Sequence, residues 1–157
     1  GLQALHVSTD RLVLVTAQTH PFASQKTIAF ADTLDEDAVG MQQGSTLQTF
    51  LTQVTEKLGK PQKLRVQLSS FDAMCRMIGA GVGIGIVPES AARRYLDPTG
   101  LVLIELTDAW SVRERYILVR EAARVPTYAQ ALIDLLRAHH QTAPAAARAR
   151  PTPRRRR

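Results

Sequence analysis

The stretch Ser69-Ser70-Phe71-Asp72-Ala73-Met74-Cys75-Arg76-Met77-Ile78-Gly79-Ala80-Gly81-Val82-Gly83-Ile84-Gly85-Ile86-Val87-Pro88-Glu89 reads as a helix, a glycine-rich turn, a short buried strand and a proline stop. Phe71, Met74, Cys75 and Ile78 recur at i, i+3, i+4 and i+7 and therefore share one helical face. Ser69 or Ser70 can accept from the first-turn N–H groups, and Gly79 or Gly81 can end the helix in a left-handed turn. Gly83-Ile84-Gly85-Ile86-Val87 is short, apolar and β-branched, which suits a covered strand. A helix feeding straight into such a strand belongs to an α/β sandwich.

The flanking sequence extends this pattern in both directions. Leu64-Arg65-Val66-Gln67-Leu68 alternates apolar and polar residues, as a strand with one covered face does. Before it, Leu47, Phe50, Leu51, Val54 and Leu58 make a continuous apolar helical face. Ser45 and Gln48 form a capping box at its start, Lys57 suits its negative C-terminal end, Gly59 can close it and Pro61 prevents continuation. Ala38-Val39-Gly40-Met41 is a short strand that enters this helix through the loop Gln42-Gln43-Gly44-Ser45. Leu12-Val13-Leu14-Val15 is a strong strand, with a weaker one over Gly1–Val7 before it and a break at Thr19-His20-Pro21 after it. Lys26–Leu34 is mixed, extended at best over Thr27–Phe30, and Asp35-Glu36-Asp37 is an exposed acidic run.

Downstream, Glu89–Tyr95 is a short helix stopped by Asp97-Pro98-Thr99-Gly100, and Leu101–Ile104 is a strand. Asp108-Ala109-Trp110 is a turn or short crossing segment, and Arg115–Arg120 is a strand that could carry the chain back toward its start. Pro126 opens a last helix with Tyr128, Leu132, Leu135 and Leu136 on one face. There is no internal repeat. The alternation of strand and helix through the middle implies a mainly parallel sheet with helices on both faces.

A length of 157 residues suffices for one domain with a real core, and a start at Gly1 rather than Met reads as a fragment. No run is long and apolar enough to span a bilayer, and no signal-peptide pattern opens the chain. The single cysteine, Cys75, excludes an intrachain disulfide framework and a Cys-rich zinc site, and is compatible with a reduced cytosolic compartment. The formal charge of +6 equals the six arginines Arg148, Arg150, Arg154, Arg155, Arg156 and Arg157, and residues 141–157 contain no acid. The body is therefore formally neutral and lacks the clustered basic residues of a nucleic-acid-binding face. The tail, rich in Arg, Pro and Ala, reads as solvated and disordered.

The catalytic templates mostly fail. There is no Gly-x-Ser-x-Gly elbow and no phosphate-binding P-loop. His6, His20, His139 and His140 show no metal-ligand spacing with carboxylates, so neither a metal nor a cofactor is expected. Gly81-Val82-Gly83-Ile84-Gly85 follows a helix and opens a strand, the reverse of a dinucleotide loop. Cys75 on its apolar face reads as a buried inert thiol, and Asp72 with Arg76 as a surface pair one helical turn apart.

The informative pair is Gly44-Ser45-Thr46 and Ser69-Ser70-Phe71, each of which follows a strand and opens a helix. In a parallel sheet both lie at carboxyl ends of strands, where small ligands bind. Helix N-termini present unpaired N–H groups and partial positive charge, which suits a carboxylate or phosphate. Capping explains each serine taken alone. Two such loops on one sheet edge are what make them candidates for ligand contact.

The ordered set Leu12-Val13-Leu14-Val15, His20-Pro21, Val39-Gly40-Met41, Gly44-Ser45, Leu64-Arg65-Val66, Ser70-Phe71-Asp72 and Gly79-Ala80-Gly81-Val82-Gly83-Ile84-Gly85-Ile86-Val87-Pro88 resembles the effector-binding domain of LysR-type bacterial transcriptional regulators. The resemblance runs from about Asp10 to Arg137, and its most specific parts are His20-Pro21 and the run from Ala80 to Pro88. It implies a type 2 periplasmic-binding-protein-like α/β fold of two lobes joined by crossover strands, with a small molecule in the cleft.

On that reading residues 1–140 are a partial effector-binding domain, with lobe two complete over about residues 17–115, the remainder part of lobe one, and 141–157 the tail. Leu12–Val15 and Tyr116–Val119 would lie near the hinge, while Leu2–Leu5 and the Thr127–Ala138 helix, in the incomplete lobe, would expose apolar surface. Carried over residue by residue, the ligand wall would be Thr19 or His20 at the hinge, Gly44-Ser45-Thr46, Ser69-Ser70-Phe71 and Val87-Pro88. No arginine adjoins the Gly44 loop in sequence, so a carboxylate effector is compatible with these residues but not required by them.

The implied function is the ligand-sensing half of a cytoplasmic, non-enzymatic, oligomeric transcription factor that touches DNA only through a winged helix-turn-helix outside this chain, with no membrane partner. The other readings are a solute-binding protein on the same fold and, third, an enzyme on that fold.

Overall fold

The computed structural model describes residues 1–96, 100–120 and 125–142. They form two compact units, one running from Asp10 to Arg113 and the other combining Gly1–Thr9 with the chain from Glu114 onward. The strand Leu12–Val15, placed near the hinge by the resemblance, lies at the centre of the larger unit's sheet. The expected disordered tail falls outside the described residues from position 143 on.

The strands are β1 (Leu2–Thr16), β2 (Thr27–Ile28), β3 (Asp37–Met41), β4 (Lys63–Leu68), β5 (Gly85–Pro88), β6 (Val102–Leu106) and β7 (Val112–Arg120). The helices are α1 (Thr46–Leu58), α2 (Phe71–Gly79), α3 (Glu89–Ala92) and α4 (Thr127–Thr142). The two strands read from Gly1–Val7 and Leu12–Val15 are one continuous β1.

In the larger unit the sheet runs β2-β6-β1-β5, and β3 with β4 beyond it joins β5. The join is a parallel bridge at Ala38 and Ile84, where Val39 N donates to Ile84 O (2.8 Å) and Ile84 N to Asp37 O (2.9 Å). β3 and β4 pair in parallel, as do β2 and β6. β1 alone runs against its neighbours, pairing antiparallel with β5 through Leu12–Pro88 and Val15–Gly85, and with β6 through Val13–Glu105 and Thr16–Val102.

β1 is apolar throughout its second half because both faces are covered. Leu12 and Leu14 point into a cluster with Leu47 and Leu51 of α1, Phe30, Ile86 and Ile104. Val13 and Val15 point the other way, into Met74, Cys75 and Ile78 of α2, Ala92 of α3, Val39 and Val87. Alternation along the strand therefore feeds two helical layers at once. All four residues are buried, each contributing on the order of 1.5–3 kcal/mol by leaving water.

The glycines between α2 and β5 do two different jobs. Gly81, with φ 84°, turns the chain out of α2. Gly83 and Gly85 instead let β5 press against its neighbours. A Cβ on Gly83 would lie 2.5 Å from Asp37 O, and one on Gly85 would lie 2.7 Å from Ile78 Cδ1 and 2.9 Å from Val39 O.

Two helical faces differ from the sequence reading. On α1, Leu58 is exposed, while Gln48 and Thr55 are buried. The capping box is half made, because Ser45 Oγ accepts from Gln48 N (3.1 Å) but the Gln48 side chain turns inward and donates to Gln62 Oε1 (3.3 Å). On α4 the expected face of Tyr128, Leu132 and Leu135 is exposed, and the helix buries Ile133 with Leu136 partly covered. That apolar stripe is wider than the surface the described part of its unit offers.

In the smaller unit β7 pairs with β1. Thr9 Oγ1 donates to Glu114 Oε2 (2.7 Å), which also lies 2.5 Å from His6 Nε2. These contacts, the Thr9 hydroxyl first and His6 second, hold the Glu114 carboxyl below the usual range. Arg137 Nε of α4 donates to His6 O (3.0 Å). Leu2, Tyr116, Leu118, Tyr128, Leu132 and Leu135, all in this unit, are exposed.

Candidate functional site

The direction of β1 sorts the sequence-derived site residues into two groups. β3, β4 and β5 all end at one edge of the sheet, and the start of β1 in the larger unit lies there too, because Leu12 pairs with Pro88. This carboxyl edge carries Gly44, Ser45 and Thr46 after β3, Ser69, Ser70 and Phe71 after β4, and Val87 and Pro88 at the end of β5. Gln42 N donates to Leu68 O (2.8 Å) and Gln67 Nε2 to Met41 O (3.1 Å), which holds the first two loops side by side.

Each loop is built by its own helix start. Gly44, with φ 87°, turns the chain out of β3, and Ser45 N donates back to Gln42 O (3.2 Å). Ser45 Oγ then caps α1, and Ser70 Oγ caps α2 by accepting from Ala73 N (3.1 Å). Each cap contributes about 1 kcal/mol. Both hydroxyls are used as acceptors by their own helices, so each keeps its O–H to donate. Gly44, Thr46, Ser69 and Ser70 are exposed, Ser45 and Phe71 partly so. Val87 is fully buried with its side chain in the α2 layer, so it shapes this edge from behind, while Pro88 is partly exposed and leads into α3.

Thr19 and His20 are not brought to these loops. They follow the end of β1, and Val15 and Thr16 pair with Gly85 and Val102 at the starts of β5 and β6. They therefore lie at the opposite edge. His20 has a local job there: its Nδ1 accepts from Phe22 N (3.0 Å), capping the short 3-10 turn Pro21–Ser24, and its Nε2 lies 3.3 Å from Glu36 Oε2. Thr19 helps line a shallow pocket of about 200 Å³ with Ala17, Gln18, Gly79 and Gly100.

The carboxyl edge also gathers residues that the sequence reading passed over. Asp10 Oδ2 accepts from Ser90 Oγ (2.8 Å), and Arg11 pairs with Glu105 and Glu89. Arg113, at the start of β7, lies over the Phe50 ring of α1. The one sequence signal was placement: Asp10-Arg11 is a charged pair abutting the most apolar strand, and Arg113 follows the only tryptophan by three residues.

Elsewhere the titratable side chains are engaged locally. Cys75 is buried, and desolvation, with the Asp72 charge adding to it, pushes its thiol up to about 11. That leaves the thiolate unpopulated at neutral pH. The Tyr95 hydroxyl first and Arg76 second hold the Asp72 carboxyl below the usual range, and the same bond pushes Tyr95 up. Among the described residues no cluster of His, Cys, Asp and Glu has the makings of a metal site, and no helix is long and apolar enough to cross a membrane.

A mixed sheet between two helical layers, with capped helix starts gathered on its carboxyl edge, is an α/β fold of the type 2 periplasmic-binding-protein kind. Residues 1–141 match the family model described as the LysR substrate binding domain, and the chain belongs to that family. Over 124 residues it is 27% identical to an uncharacterised HTH-type transcriptional regulator of Methanocaldococcus jannaschii, a match that takes in 77% of this chain and 42% of the relative's length. Among solved structures it is similar to the Synechocystis PCC6803 CcmR regulatory domain in complex with 2-PG, with TM-score 0.74 and 18% identity over 90% of this chain and 68% of that one. The regulatory domain of MetR from N. meningitidis matches with TM-score 0.74 and 15% identity over 90% and 65% of the two chains. The effector binding domain of QuiR in complex with shikimate matches with TM-score 0.67 and 19% identity over 90% and 66%. At such identities these likenesses show a common fold.

Proposed function

We propose that this chain is the effector-sensing part of a DNA-binding transcriptional regulator and that it binds a small molecule on the carboxyl edge of its larger unit. The observation that carries the reading is the pair of capped helix starts at Ser45 and Ser70, held side by side on that edge in a chain of the LysR substrate binding domain family. The helix-turn-helix in the name of the curated relative supports regulation over solute transport, as do the ligands in the CcmR and QuiR domains.

Gly44 and Ser45 to Thr46 would meet the ligand from α1, Ser69 to Phe71 from α2, and Pro88 from β5. The serine hydroxyls and the free first-turn N–H groups would donate to it. Val87 is the packed floor behind them. Thr19 and His20 stand apart from this wall. Contact with DNA belongs to a winged helix-turn-helix in the complete protein, which acts in the cytoplasm as a homo-oligomer.

An effector with a tenfold preference for one arrangement of such a regulator supplies about 1.4 kcal/mol, enough to move a balanced equilibrium. A thermal-shift screen of small metabolites, read for stabilisation that grows with concentration, finds the effector. Ser45→Ala and Ser70→Ala reduce that stabilisation. If the complete protein ignores DNA at low salt, or if both variants respond to the effector as the unaltered chain does, the reading fails.

A further inference from the structure

In the larger unit two arginines are partly buried, Arg11 and Arg113. Arg11 is shared by Glu89 and Glu105. No ion pair among the described residues involves Arg113. Its guanidinium carbon instead lies 5.1 Å from the centroid of the Phe50 ring. Phe50 meets Trp110 edge-on at 5.2 Å, and Trp110 meets the buried Phe30 at 5.4 Å. The Asp108 carboxylate, which precedes Trp110 in the chain, accepts from Phe30 N (2.8 Å).

The cation is therefore seated on an aromatic stack rooted in the core and is left without an acid. An aromatic ring attracts a guanidinium through its face and leaves the in-plane N–H donors unspent. Those donors form the fork that matches a carboxylate bidentately. Phe50 is four residues along α1 from Thr46, a rise of about 6 Å. Arg113 is thus placed beside the first turns of the helix whose start forms the candidate site.

We propose that Arg113 is the anion-recognising residue of that site and that the effector it selects is a small carboxylate. The proposal rests on the carboxyl edge being the effector site. It also names a reporter, since Trp110 is the only tryptophan and touches the ring under Arg113.

The test titrates the full chain with benzoate and succinate, with their neutral amides benzamide and succinamide, and with inorganic phosphate, following Trp110 emission. Expected is a saturable change with a carboxylate and none with its amide. Arg113→Gln weakens that binding by about tenfold or more, and Arg113→Lys, which keeps the charge but loses the fork, falls between. Melting curves confirm that both variants fold, and Arg113→Lys carries the test if Arg113→Gln does not.

Equal response to acid and amide overturns the proposal, as do a response to phosphate alone and the absence of any saturable response. If Arg113→Gln binds like the unaltered chain while Ser45→Ala does not, Arg113 is excluded and the site at the carboxyl edge stands. If neither variant weakens binding, both fall.

Discussion

Gly83→Ala tests the join that carries the Gly44 loop to its place. A methyl on Gly83 would lie 2.5 Å from Asp37 O and 3.0 Å from the Asp37 carbonyl carbon. Both are backbone atoms in β3 and cannot swing aside, so β3 and β5 must separate. The two hydrogen bonds of 2.8 and 2.9 Å between them stretch with that movement. Overpacking costs about 1–3 kcal/mol, and weakening two covered backbone bonds adds about 1 kcal/mol. Restricting the unfolded chain returns about 0.4–1 kcal/mol. The net loss is about 1–3.5 kcal/mol, or roughly 2–14 °C in Tm for a chain of this size.

Gly81→Ala is the matched control. Gly81 has φ 84° and open space around its Cβ position, so the substitution costs only left-handed strain of about 1–2 kcal/mol. Thermal and urea melts of the three proteins decide the matter. If Gly83→Ala melts with the unaltered chain, or above Gly81→Ala, close backbone approach is not what requires glycine at position 83. The functional corollary is that Gly83→Ala also weakens ligand binding at Ser45, because β3 delivers that loop.

The remaining predictions concern side chains already placed. The folded Cys75 thiol titrates at about 11 against an ordinary 9.0, so between those values the unfolded chain releases a proton the folded one keeps. Stability therefore falls as pH rises through that window, by about 2–3 kcal/mol in total; Cys75→Ala should remove that part of the slope, and fast labelling of the native thiol at pH 8 would contradict the burial. Leu132→Lys with Leu135→Lys should cut the binding of an exposed-surface dye without lowering Tm, since both side chains already face solvent; an unchanged dye signal would place the apolar surface elsewhere. His20→Ala should cost about 1 kcal/mol by removing the turn cap and leave ligand-induced stabilisation intact; loss of that stabilisation would put His20 back in the site.

Much of the architecture was legible because it follows from local patterns. Ser45, Gly59 and Pro61 bracket α1 as their chemistry requires, and Ser70 caps α2. The alternation of Leu64, Val66 and Leu68 gives β4 one covered face. Legibility failed where burial depends on what lies opposite. Leu58 fits the apolar period of α1 but is exposed at the helix's last turn, while Gln48, polar by composition, is drawn inward against Gly40 and Gln62. On α4 the period offered two overlapping stripes. The one through Ile133 is buried, and the one through Leu132 and Leu135 is left to solvent. Of the glycines in the Gly79–Gly85 run only Gly81 turns the chain through a positive φ. Close approach between strands leaves no trace in local propensity, so Gly83 and Gly85 looked the same as Gly81.

The site was legible to the extent that each strand's direction could be read. Gly44, Ser69, Thr19 and His20 all follow a strand, and in a purely parallel sheet all four would share one edge. One antiparallel strand breaks that inference, and the antiparallel strand here is β1. Its end, with Thr19 and His20, is carried to the opposite edge. By the same geometry its entry into the sheet, with Asp10 and Arg11, is carried to the edge where β3, β4 and β5 finish. The short turn after β6 likewise returns Arg113 to α1, 63 residues after the Phe50 ring it covers. A sequence search beside the Gly44 loop finds no arginine, because the ones at this edge arrive through sheet order rather than through chain proximity. The charge proposed to recognise an acid and the helix starts that would share it are therefore assembled only by the reversal of β1 and the crossing that follows β6.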